Sequence, residues 1–250
     1  MLVFPLALLL TATPPALETW ATRACPPSKA EPDSNVEMKL MGQRRAECLR
    51  KAMNKALDRA ILPLKKSRPD AFKEWMALQD DYNRWMAEAC AAAEEANWVD
   101  LTTGERSMGT GYGFTESQCL QRHHAWRGYY ADAWARGERN PLAPLSPALE
   151  GPAAEARSAW NAYRDRVLQT VARAPTRAVD PARPSRKLSR DDWKPYVERL
   201  ERVLAGPELL ATHQCALVPA RPTDCVQRFA DSLFAQMDPP QPPGPSEGGP

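Results

Sequence analysis

The chain has 250 residues, of which 43% are hydrophobic, and its 33 basic and 31 acidic residues give a formal net charge of +2. This length and apolar content suffice for one or two domains with a hydrophobic core. The nearly balanced charge lacks the electrostatic signature of a nucleic-acid-binding protein, so we predict no nucleic-acid partner.

The N-terminal segment predicts export. An apolar run from Leu2 to Leu10 is followed by small residues and prolines, a pattern typical of a signal peptide and too short to span a bilayer. Two cleavage positions stay open, one after Ala21 and one after Ala24. We therefore predict a signal peptide over residues 1–24, a secreted or periplasmic location, and no membrane span.

Apolar residues recur every three or four positions in several blocks, which predicts an all-α, disulfide-stapled bundle. The predicted helices span residues 35–66, 72–97, 115–136, about 156–174, 191–205 and 223–237, with a further turn at 209–213. Pro63 is expected to bend or shorten the first of them, and Gly206-Pro207 to end the fifth. The proline-rich tail over residues 238–250 is predicted to be disordered.

Charge separates the first two of these helices. Residues 39–73 are mostly basic and residues 74–105 mostly acidic. The two helices could pack antiparallel with their charges compensating one another, or the acidic end and its loop could face a cationic partner. Both interpretations stay open on sequence grounds.

The segment from Asn97 to Phe114 holds four glycines and predicts a flexible crossing between two helices. No catalytic motif accompanies it. Adjacent His123 and His124 point in different directions on a helix, and Glu88 with Glu94 or Glu95 is explained by a solvated helix face. We therefore predict a protein that is not an enzyme and uses neither a metal nor another cofactor.

Six cysteines in an apparently exported chain favour disulfides, with fifteen pairings open on paper. The part of the chain from Cys25 to Gly137 resembles the LprI-like lysozyme-inhibitor family. The residues that carry this resemblance are Ala46-Glu47-Cys48, Met53-Asn54-Lys55-Ala56, Gln79, Tyr82, Trp85, Ala89-Cys90, the glycine-rich loop, Cys119 and the helix from Gln121 to Trp134.

The resemblance implies pairing of Cys25 with Cys48 and of Cys90 with Cys119, which leaves Cys215 and Cys225 to pair by exclusion. It also implies an LprI-like helical domain over residues 25–138. The helical region over residues 139–237 would then be packed on that domain or be a degenerate repeat of it.

By the same resemblance the chain would be a binding protein that inhibits lysozyme or a related cationic cell-wall hydrolase. The loop would obstruct the cleft of that enzyme with the partner-binding residues Asp100, Glu105, Met108, Tyr112 and Phe114. The alternative is a structural or assembly protein of the cell envelope, in which the part from Trp160 to Met237 supplies the interface.

Overall fold

The computed structural model describes residues 15–29, 31–107, 111–138, 150–176, 187–218 and 223–237. The helices are α1 (Pro15–Ala24), α2 (Asn35–Ile61), α3 (Leu64–Ser67), α4 (Pro69–Ala96), α5 (Phe114–Ala135), α6 (Glu150–Arg173), α7 (Arg190–Ala216) and α8 (Cys225–Gln236). Two short strands, β1 (Val99–Asp100) and β2 (Glu105–Arg106), pair into a two-stranded sheet, which is the sheet found among the described residues. The all-α prediction is confirmed. The predicted apolar run of the signal peptide and the proline-rich tail lie outside the described residues, as do residues 139–149 and 177–186.

Local sequence explains most helix ends. The side chain of Ser34 caps α2 by accepting from the backbone N–H of Glu37. Pro63 follows the end of α2 and separates it from the single turn of α3, as predicted. Ser189 and Asp192 form a reciprocal capping box at the start of α7.

The predicted end of a helix at Gly206-Pro207 is wrong, because α7 runs through both residues to Ala216. The helix continues because Gly206 lies in the interface between α7 and α4. The indole of Trp85 packs on Gly206, where a Cβ would lie only 2.0 Å from its Cδ1 atom, and its Nε1 donates to the carbonyl of Val203. Burial of a large aromatic side chain outweighs the local cost of a glycine and a proline in the helix.

The charge-compensated hairpin of α2 and α4, one of the two interpretations left open by the sequence, is not the packing observed. Helix α2 lies along α5, and α4 packs on both α5 and α7. The carboxylates of α4 reach arginines of α7 instead, with Glu88 3.0 Å from Arg202 and Glu95 2.6 Å from Arg199. Exposed charges contribute too little to select a partner helix, whereas the apolar face of α2 selects α5.

Two hydrophobic clusters hold the fold together. The larger one joins α4 to α6, α7 and α8, and it includes Trp75, Trp85, Trp160, Trp193 and Phe229. The helices that follow residue 139 therefore share a core with α4.

The smaller cluster joins α1, α2 and α5. It buries Leu17 and Trp20, and the Trp20 ring packs on Gly128 of α5. Residues that the sequence assigns to a signal peptide thus form part of a core.

All three predicted disulfides are present: Cys25–Cys48, Cys90–Cys119 and Cys215–Cys225. The first ties the segment after α1 to α2, the second ties α4 to α5, and the third ties α7 to α8. Across the described residues, every helix is either too short or too polar to cross a lipid bilayer.

Candidate functional site

The predicted flexible crossing contains an ordered turn, which we call the hairpin (residues 99–106). Its strands pair antiparallel, with Val99 opposite Arg106 and Asp100 opposite Glu105. Gly104 provides the left-handed backbone conformation, with φ of +71°, that closes the turn. The strands have two residues each, so the alternation that predicts a strand had no room to appear in the sequence.

The carboxylate of Asp100 organises the turn. Its Oδ1 atom accepts from the backbone N–H of Thr102 at 2.7 Å and of Thr103 at 3.3 Å. The hydrogen bond from Thr102 is the main cause that lowers the pKa of Asp100. Asp100 therefore stays anionic at neutral pH, and its negative charge is fixed at the turn.

Glu94 clamps the base of the hairpin to the start of α5. This carboxylate is 1% exposed. Its Oε1 atom accepts from Trp98 Nε1 and from the N–H of Gly113, both at 2.6 Å, and its Oε2 atom accepts from the N–H of Glu116 at 2.9 Å. An anion at a helix N-terminus satisfies backbone donors that the helix leaves unpaired and interacts favourably with the helix dipole.

The Cys90–Cys119 disulfide lies one turn before Glu94 on α4 and one turn after the N-terminus of α5. Together the disulfide and the carboxylate fix the two chain segments that enter and leave the loop. The sequence held one signal for Glu94: it follows Cys90 by four residues and so lies on the same helix face.

The opposite side of the hairpin is docked on the second half of the chain. The Thr170 hydroxyl on α6 donates to the carbonyl of Leu101 at 2.7 Å, and the Leu188 N–H donates to the carbonyl of Gly104 at 2.9 Å. The backbone of Lys187 pairs with that of Glu105 in an isolated antiparallel β-bridge. The hairpin is therefore held on both sides, and Thr102, Thr103, Glu105 and Ser107 remain exposed.

The structure brings only some of the predicted partner-binding residues together. Asp100 and Glu105 face one another across the hairpin, with Asp100 half-buried and Glu105 exposed. Half-buried Tyr112 packs against Trp98 with ring centroids 6.0 Å apart, and half-buried Phe114 begins α5. Met108 lies outside the described residues. The residues that sequence analysis missed are Glu94, Trp98 and Thr170.

His123 and His124 serve packing in this structure. Buried His123 shares a hydrogen bond through Nδ1 with the Tyr82 hydroxyl at 3.2 Å, and that hydroxyl donates to Gln236 at 3.1 Å. Burial lowers the pKa of His123 to about 3 and that of His124 to about 4, so both are neutral at pH 7. Cys90 and Cys119 lie close to His123, but their sulfurs are bonded to each other and provide no thiolate for a metal.

The carboxylates considered as an acid–base pair are engaged elsewhere. Glu94 caps α5, Glu88 pairs with Arg202, and Glu95 pairs with Arg199 and with Arg106 of the hairpin. Glu88 and Glu95 of α4 are thus matched by cations of the same chain.

Comparisons with models of protein families, with curated proteins and with solved structures found no match to this chain.

Proposed function

We propose that this chain is an exported binding protein that obstructs the cleft of a cationic partner enzyme with its hairpin. The observation that supports this most is the fixation of the hairpin on both sides, by Glu94 at its base and by Thr170 and Leu188 beside it, with the tip exposed. A segment that is already ordered loses little conformational entropy when it binds, and this favours affinity.

Charge supports a cationic partner. Asp100 and Glu105 are directly opposed in the hairpin, whose one cation, Arg106, is 3.4 Å from Glu95, and Lys187 is the β-bridge partner of Glu105. The exposed carboxylate of Glu105, beside the fixed negative charge of Asp100, attracts a basic surface and orients its approach. A lysozyme-like cell-wall hydrolase is the partner implied by the resemblance to LprI-like inhibitors, and three disulfides are compatible with an exported location.

The proposal is tested by adding the purified full chain to lysozyme in a cell-wall turbidity assay. We expect inhibition that saturates with inhibitor concentration, and we expect Glu105→Lys to raise the concentration for half-inhibition roughly tenfold or more by opposing a cationic cleft. Full lysozyme activity at large molar excess of the native chain would refute the proposal for this enzyme.

A matched control is Glu155→Lys on α6. Glu155 is exposed and precedes Thr170, the contact of α6 with the hairpin, by 15 residues. It therefore lies about 22 Å from the hairpin along the helix axis. This variant has the same change in net charge and should inhibit like the native chain.

A further inference from the structure

A second candidate site lies away from the hairpin, in a cavity of about 80 Å³ between α4, α5, α7 and α8. We call it the aromatic cavity and define it by the wall residues Trp75, Gln79, Tyr82, Trp126, Arg127 and Trp134. Arg127 and Trp134 are half-buried and mark its mouth, whereas the other four are buried. Aromatic side chains with a few polar groups among them are typical of small-molecule sites.

Arg127 brings a positive charge to this cavity without a counter-charge. Its guanidinium lies 3.6 Å from the centroid of the Tyr82 ring, and its Nη1 atom donates to the side-chain oxygen of Asn83 at 3.2 Å. No carboxylate among the described residues forms an ion pair with it. Burial lowers the pKa of Arg127 to about 10, which still leaves it charged at neutral pH. A half-buried cation without an anion is stabilised by any anion that enters beside it.

Gln79 supplies an unused hydrogen-bond acceptor in the same wall. Its side chain is 9% exposed, and its Oε1 atom is buried and accepts no hydrogen bond within the described residues. Gln79 and Tyr82 lie one turn apart on α4, and both residues belong to the wall of the cavity. A buried acceptor left unpaired costs free energy that a ligand donor would recover.

The size of the cavity limits the apolar part of a ligand. An engineered apolar cavity of about 150 Å³ holds benzene, and the aromatic cavity has roughly half of that volume. It therefore suits a short aliphatic group better than a ring or a long acyl chain.

We propose that the aromatic cavity binds a short aliphatic 2-hydroxycarboxylate. The carboxylate pairs with Arg127, the hydroxyl donates to Gln79, and the hydrocarbon part packs against Trp126 and Trp134. This site is independent of the hairpin, and its occupancy does not depend on inhibition of any enzyme.

The experiment is a titration of the isotope-labelled full chain with 2-hydroxybutyrate, followed by the indole N–H signals in NMR spectra. We expect saturable shifts of Trp75, Trp126 and Trp134, with a dissociation constant of about 1 mM or below. Trp160 and Trp193 belong to the large core but not to the cavity wall, and they serve as internal references. Shifts that do not saturate by about 10 mM would overturn the proposal.

Two ligand analogues test the two polar contacts on the unaltered protein. The neutral 2-hydroxybutanamide lacks the charge, and butyrate lacks the hydroxyl donor. Each should bind roughly tenfold more weakly than 2-hydroxybutyrate. Equal binding of the amide would refute the role of Arg127, and equal binding of butyrate would refute the role of Gln79.

Variants of Arg127 test the same contact from the side of the protein. Arg127→Gln should weaken binding of 2-hydroxybutyrate about tenfold or more, and Arg127→Lys should retain most of it. Arg202→Gln removes an exposed arginine of α7 and should bind like the native chain. Unchanged binding by a folded Arg127→Gln variant would contradict the proposed site.

Discussion

At the scale of single residues, Glu94 decides whether the hairpin has a fixed base. Glu94→Gln replaces one acceptor oxygen by an amide that cannot accept from the three donors Trp98, Gly113 and Glu116 together. We expect a loss of about 1–3 kcal/mol in the free energy of unfolding, because a buried donor is left without a partner. Urea unfolding followed by circular dichroism measures it.

The control for that variant is Glu88→Gln on the same helix. The carboxylate of Glu88 pairs with Arg202 at the surface, and exposed ion pairs contribute little to stability. If both variants unfold at the same urea concentration as the native chain, Glu94 does not act as a clamp.

The buried histidines make stability depend on pH. Burial lowers the pKa of His123 to about 3 and of His124 to about 4, from a value of 6.5 in the unfolded chain. At pH values between the folded-state and unfolded-state pKa, the unfolded chain binds protons that the folded chain does not, so the free energy of unfolding falls as the pH falls. Lowering the pH from about 5.5 to about 4.5 should cost roughly 2–3 kcal/mol, or about 1.4 kcal/mol for each histidine.

Urea unfolding at a series of pH values checks this dependence. His124→Gln should halve the slope in that interval, since one of the two groups no longer titrates. A native chain whose free energy of unfolding stays constant from about pH 6 to about pH 4.5 would show that the histidines are accessible to protons in the fold.

At the scale of helices, the contact between Trp85 and Gly206 sets how closely α4 and α7 approach. In an unconstrained helix Gly→Ala would stabilise by about 1 kcal/mol. At Gly206 the added methyl group would lie 2.0 Å from Trp85 Cδ1, and displacing a packed indole costs about 1–3 kcal/mol. We expect Gly206→Ala to lower the free energy of unfolding by about 1–2 kcal/mol, measured by thermal and urea unfolding.

Gly42 of α2 is the matched position for comparison. A Cβ at Gly42 would meet the Ser117 side-chain oxygen at 2.9 Å, and moving that hydroxyl would give up its hydrogen bond to the carbonyl of Phe114. The loss of that bond and the gain in helix propensity are of similar size, so Gly42→Ala should be close to neutral. Stabilisation by both alanines would mean that α4 and α7 move apart at little cost.

At the scale of the whole molecule, the two halves of the chain depend on one another. A chain that ends at Gly137 keeps two disulfides but loses α6, α7 and α8, which cover Trp75, Tyr82 and Trp85 on α4. We expect this fragment to lose cooperative unfolding and to bind a hydrophobic dye, since its apolar face has no cover. A chain that ends at Met237 is the control, and it should unfold like the full chain. Cooperative unfolding of the shorter fragment would show that residues 25–137 fold alone.

Sequence patterns predicted the helical blocks because amphipathic spacing persists over many residues, as it does in α4 and α5. The disulfides followed from the resemblance and are present. Which helices pack together was not predictable from the sequence, because it depends on the shapes of the contacting surfaces. Gly206 leaves room for Trp85 and so lets α4 pack closely on α7. The opposite charges of α2 and α4 are too weak to bring those two helices together instead. At the candidate site, the sequence around Glu94 looks like that of any acidic residue on a solvated helix face. Glu94 is a buried hydrogen-bond acceptor only because the loop brings the N–H of Gly113 back to it.

The burial of α1 has a consequence for maturation of the protein. Cleavage after Ala21 or Ala24 would remove Leu17 and Trp20, leaving an empty groove over Gly128. Each of these side chains contributes on the order of 1.5–3 kcal/mol by leaving water. If the chain is exported as proposed, a cut upstream of Pro15 would leave this core intact. Intact-mass measurement of the chain from a host that secretes it would locate any such cut, and a mature form that begins at Thr22 or Cys25 would show that the fold forms without its first helix.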